Sequence, residues 1–132
     1  MSMTPEYLAT LKLIEVAEEV ADDPYTPLEV AAILREEIRL QQEILLLHLD
    51  TDVFAEKARR VNEDFERINS LGSMAERREA LENASMRLSD LKLDRLALEN
   101  RSQKLYQQLD AVQDLMLKEV AKHIQTNTEE QS

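Results

Sequence analysis

Cysteine and tryptophan are absent from this 132-residue chain, glycine occurs once, proline three times, and the aromatics amount to three Tyr and two Phe. Without cysteine there are no disulfide staples, no thiolate metal ligands and no Cys nucleophile. A single glycine excludes the glycine-rich loops in which several backbone amides close around a phosphate. Long apolar runs are missing too: the longest aliphatic one, Ile44 to Leu47, is far below the roughly 20 residues needed to span a bilayer. Met1 to Leu8 has no basic stretch of the targeting kind, so a cytoplasmic location is the expectation.

What is abundant is Leu, Ala, Glu, Arg and Gln, the residues that lose least on entering a helix. The formal net charge is -11, from 27 acidic and 16 basic side chains. That excess opposes direct contact with nucleic acid or an anionic membrane. It is concentrated near the start, where Glu15, Glu18, Glu19, Asp22 and Asp23 meet only Lys12.

Punctuation in the sequence predicts three helices. Thr4-Pro5-Glu6 is a helix start, with a hydroxyl for an orphan amide, a proline suited to the first turn and a carboxylate at the positive end of the dipole. Helix 1 is expected over about 5–21, ending at Asp22-Asp23-Pro24 because a residue before proline is pushed out of the α region. Thr26-Pro27-Leu28-Glu29 reads as a capping box opening helix 2, over about 27–71. A second box, Ser73-Met74-Ala75-Glu76, follows Gly72 and opens helix 3, over about 74–125. The tail, 126–132, has no apolar residue and is expected to be disordered.

Apolar residues on helix 2 alternate in threes and fours from Val30 and Ile33 through Leu40, Ile44, Leu47 and Phe54 to Val61, Phe65 and Ile68. Register passes through Thr51 unbroken, which favours one continuous helix over a kink at Asp50-Thr51-Asp52. A matching seam on helix 3 runs from Met74 through Leu81, Ala84, Leu91, Leu98, Leu105, Leu109 and Val112 to Met116. A reversal centred near Gly72 sets Phe54 opposite Leu91, Val61 opposite Ala84, Leu47 opposite Leu98 and Leu40 opposite Leu105. The expected fold is therefore all-α: a long antiparallel, coiled-coil-like helical hairpin, one elongated domain over 1–125, with helices about 65 to 78 Å long.

A second stripe lies beside each seam, Leu34, Ile38, Leu45 and Leu49 on helix 2, and Leu93, Leu96, Leu117, Val120 and Ile124 on helix 3. Helix 1 is expected to fill the groove between them with Tyr7, Leu8, Leu11, Ile14, Ala17 and Val20, giving a three-helix bundle at the open end of the hairpin. Folded back from Pro24 to Pro27, it reaches only the level of Ile44. Leu45, Leu46, Leu49, Leu93 and Leu96 then form an exposed apolar face, the first candidate partner-binding site. The acidic group Glu15, Glu18, Glu19, Asp22 and Asp23 is the second, as a docking surface for a basic partner.

Catalytic patterns are missing. His48 and His123 lie too far apart along the hairpin to share a metal, and neither belongs to the Glu-x-x-His or His-x-x-x-His patterns of helical metal sites. His123 is expected near Asp22 or Asp23. Glu37, Arg77 and Arg95 fall on the seams, where long side chains can reach out to water. No catalytic, cofactor or metal residue is assigned, and no small-molecule substrate is expected. Function is expected to be non-enzymatic: a helical-hairpin adaptor, scaffold or assembly chaperone that binds another protein or a second copy of itself as a homodimer. The alternative is an acidic inhibitor whose carboxylates occupy the basic nucleic-acid groove of a target enzyme.

Overall fold

The computed structural model describes the backbone of residues 4–131 and the side chains of residues 4–125. It contains α1 (Pro5–Asp22), α2 (Leu28–Ile68) and α3 (Met74–Gln131), and no strand among the described residues. Helices α2 and α3 pack closely against each other and α1 packs on α2, forming a three-helix bundle. No helix of the described residues is long and apolar enough to cross a membrane.

Thr4 caps α1 as its position predicts: its extended backbone (φ -72°, ψ 157°) turns Oγ1 toward the Tyr7 amide, which donates to it at 3.2 Å. Thr26 has a different job from the expected one. Its hydroxyl donates to the Val20 carbonyl at 2.6 Å, and its amide donates to the Asp23 carbonyl at 3.1 Å. The Asp23 carboxylate accepts the Tyr25 amide at 2.8 Å. Thr26 thus closes the end of α1, where carbonyls lack partners, and α2 starts beyond it with the Ala31 amide donating to the Pro27 carbonyl at 2.9 Å.

The turn between α2 and α3 ends one helix with Ser70 and Leu71 amides donating back to Arg67 and Ile68. Ser73 Oγ then accepts the Glu76 amide at 3.1 Å, the cap expected for α3. Arg77 Nε donates to the Leu71 carbonyl at 2.9 Å and ties the turn to the new helix. Gly72 has no positive φ, and a Cβ there would meet no atom within 4 Å, so the reversal does not depend on glycine. α3 also passes its expected end near Gln125 and continues to Gln131. The polar residues from Thr126 include neither proline nor glycine, and extending an existing helix is far easier than starting one. Ser132, and the Met1 and Met3 of the N-terminal arm, lie outside the described residues.

Contacts along the chain group into two compact units, Met1–Leu46 with Ser102–Ser132, and Leu47–Arg101. The physical reason is the reach of α1, which adds a third helix to the first unit only. In that unit Ile14, Ile38 and Leu45 form a buried cluster, with Tyr7, Leu11 and Ala17 packed on it. Arg35 Nη2 reaches the Ala21 carbonyl at 3.3 Å. Positions thus fall along α1 as they rise along α2, an antiparallel pair. Leu40 is fully buried, and Ile44, Leu105, Leu109 and Val112 are nearly so.

The second unit contains only α2 and α3. Two ion pairs cross between them, Asp64 with Arg87 at 2.9 Å and Asp50 with Arg101 at 2.5 Å, spaced by two heptads on each helix in opposite directions. Val61 and Leu91 line one groove together, and Phe54 and Leu98 line another. These partners lie about six to seven positions further along α3 than the expected register sets level, in which Val61 faces Ala84 and Phe54 faces Leu91. A heptad seam stays apolar against apolar after such a shift, so seam residues alone do not select the register. The charges do: the expected register sets Asp64 level with Leu81, whereas the observed one gives it Arg87.

Buried apolar residues in this unit are Leu47, Val61, Ala84 and Leu91, against ten among the described residues of the first unit. Less apolar area per ordered residue means less to oppose conformational entropy. Amides of α2 and α3 within 47–101 should exchange with deuterium faster than those within 28–46 and 102–125, and uniform protection along both helices would contradict this.

Candidate functional site

Of the five leucines expected to form one exposed face, Leu45 is misassigned. It is 7% exposed and packs with Ile14 and Ile38, because α1 extends far enough along α2 for Tyr7 to join that cluster. Leu46 is exposed, Leu49 half-buried, and Leu93 and Leu96 exposed at 67% and 54%. Leu45 and Leu46 belong to the first unit and Leu49, Leu93 and Leu96 to the second. Within the second unit Leu93 borders the groove floored by Val61 and Leu91, whose rim carries Lys57, Arg60, Asp64, Arg87 and Asp90, charges of both signs.

The acidic group on α1 is exposed throughout. Two of its members also have local structural tasks: Asp22 lies 3.9 Å from Arg35, and Asp23 holds the Tyr25 amide. Glu15, Glu18 and Glu19 face solvent.

Apolar stripes beside the seams divide differently from the expected pattern. On α2, Ile38 and Leu45 are buried and Leu34 is half-buried, but on α3 Leu117, Val120 and Ile124 stay 70%, 38% and 61% exposed. α1 covers the α2 stripe and leaves that of α3 facing outward. α1 has an exposed stripe of its own, Leu13, Val16 and Val20; Leu13 and Val16 were not singled out in the sequence, and Val20, like Leu8, was expected in the groove but faces outward because α1 packs through the Tyr7, Leu11, Ile14 and Ala17 side. Each triplet has the i, i+3, i+7 spacing that puts three side chains on one helical face. That spacing was the available signal.

No charged or polar side chain is buried among the described residues. Glu37 on the seam is half-buried, Arg77 binds the turn, and Arg95 pairs with Glu99 at 3.0 Å. Two groups of identical layout stand on α2: Arg39 between Glu36 and Glu43, and Arg59 between Glu56 and Glu63. Hydrogen bonds from Arg39 and Arg59 hold the Glu36 and Glu56 carboxyls below the usual carboxylate range. All six side chains are solvent-facing pairs of the kind that contributes little to stability.

Among the described residues His123 pairs with Glu119, its Nε2 3.5 Å from Oε1, rather than with Asp22 or Asp23. Glu29, from the first turn of α2, brings a carboxylate oxygen to the same place, and the three donor atoms lie within 4.8 Å of one another. The sequence reading missed this group because its ligands come from opposite ends of the chain.

No protein-family model matches the chain, and neither a curated protein nor a solved structure matches it. What the fold and its surfaces define is a three-helix bundle that presents apolar helix faces to solvent.

Proposed function

We propose that the chain is a non-enzymatic protein–protein interaction module, an adaptor, scaffold or assembly chaperone that receives a helix from another protein or from a second copy of itself. The observation that carries this reading is the exposed triplet Leu117, Val120 and Ile124. Leaving a leucine in water forgoes about 1.5 to 3 kcal/mol of burial, and a helical row of such residues is the surface an amphipathic helix recognises. The exposed row Leu13, Val16 and Val20 on α1 supports it independently.

The test replaces Leu117, Val120 and Ile124 together with Gln and follows mass in solution, partner capture from the native cell and helicity. Loss of association with helicity unchanged is the expected result. Retained association would overturn the reading. The acidic-inhibitor alternative predicts another pattern: binding that weakens steeply with salt and fails when Glu15, Glu18 and Glu19 are changed to Gln, with the apolar triplet irrelevant.

A further inference from the structure

We propose that Glu29, Glu119 and His123 bind one divalent transition-metal ion of the zinc type. All three residues belong to the unit formed by Met1–Leu46 and Ser102–Ser132, and their donor atoms converge within 4.8 Å. Glu119 and His123 are four residues apart on α3, the spacing that stacks two side chains on one helical face. Glu29 approaches from the first turn of α2.

Three features favour a metal over an ordinary ion pair. His123 Nε2 is buried from solvent and has no hydrogen-bond partner, although the rest of the ring is partly exposed. A buried polar atom left unpaired carries a desolvation cost that a ligand would relieve. Second, the 3.5 Å between Nε2 and Glu119 Oε1 is long for a hydrogen bond. It is close to the edge of a tetrahedron with metal–ligand bonds of about 2.0 to 2.1 Å, which is roughly 3.4 Å. Third, the other Glu119 oxygen, Oε2, lies 3.6 Å from Lys122 Nζ, so the carboxylate is oriented with one oxygen toward the lysine and one toward the imidazole. Small rotations of the exposed Glu29 side chain complete a three-ligand set with water in the fourth position. One imidazole with two carboxylates suits zinc and its neighbours, whereas calcium takes six to eight oxygens and is poorly served here.

The experiment titrates the full chain with Zn2+ by calorimetry in a non-chelating buffer, with Co2+ visible absorption as a second readout. One ion per chain is expected, with Ca2+ at equal concentration failing to displace it. His123→Gln and Glu119→Gln should each weaken binding by more than about tenfold, since even groups standing behind metal ligands cost 10- to 100-fold when removed. Glu29→Gln should weaken it as well, and His48→Gln, at the other and exposed histidine, should leave it unchanged. Circular dichroism verifies that each variant stays helical. Wild-type affinity in both His123→Gln and Glu119→Gln, equal displacement by Ca2+, or dependence on His48 instead would overturn the proposal.

Discussion

Replacing Leu40 with Ala should destabilise the fold by about 2 to 5 kcal/mol, the range for removing a large aliphatic side chain from a packed interior. Leu40 is 0% exposed, the one large side chain among the described residues with full burial. The matched control is Leu117→Ala, which deletes the same atoms from a position 70% exposed and should fall within about 0.5 kcal/mol of the parent. Urea unfolding followed by circular dichroism measures both. Equal losses at the two positions would mean that Leu117 is also interior, and would remove the exposed face on which the interaction reading stands.

Cysteines at Val61 and Leu91 should oxidise to a disulfide within one chain, whereas cysteines at Val61 and Ala84 should not. The first pair shares one groove between α2 and α3, and the second is the pair expected from the turn. Because the natural chain has no cysteine, each double variant contains only the introduced thiols. A disulfide needs its Cβ atoms about 3.5 to 4.5 Å apart, which residues one heptad out of register do not reach. The bridge should also stabilise the unit by about 3 to 4 kcal/mol, from the loop it closes in the unfolded chain. Non-reducing electrophoresis and thermal unfolding give the answer. Preferential bridging of Val61 to Ala84, or bridges only between chains, would refute the described pairing.

These two results bear on how much of the structure was legible beforehand. Three helices, the antiparallel hairpin, the caps at Thr4 and Ser73 and the continuity of α2 through Asp50 to Asp52 follow from local signals that act within a turn or two. Register was not legible from the seams, since a periodic apolar pattern matches itself after one heptad, and the discriminating contacts, Asp64 with Arg87 and Asp50 with Arg101, are between charges that look like ordinary surface. Thr26 was misread for a related reason: a hydroxyl at a helix junction can cap the element after it or close the one before it, and the motif is the same. Leu45 depended on how far α1 extends along α2, a tertiary quantity. Of the candidate site, the exposed Leu93 and Leu96 were readable, while the assembly of Glu29, Glu119 and His123 was not.

The junction closed by Thr26 also bears on the order in which the chain folds. The hydrogen bonds made by Tyr25 and Thr26 there join residues no more than six apart: Thr26 to Val20 and to Asp23, and Tyr25 to Asp23. Such a corner forms without waiting for any distant segment, and it points α1 back along α2 before either has met α3. The α2–α3 turn is equally local, with Arg77 reaching Leu71. From there each successive cross-helix pair closes a longer loop, Asp64 with Arg87 before Asp50 with Arg101. Loop-closure entropy rises only slowly when contacts form in that sequence. The packing of the first stretch of α2 against the last of α3, within the unit that joins Met1–Leu46 to Ser102–Ser132, closes the longest loops and falls at the end of that sequence.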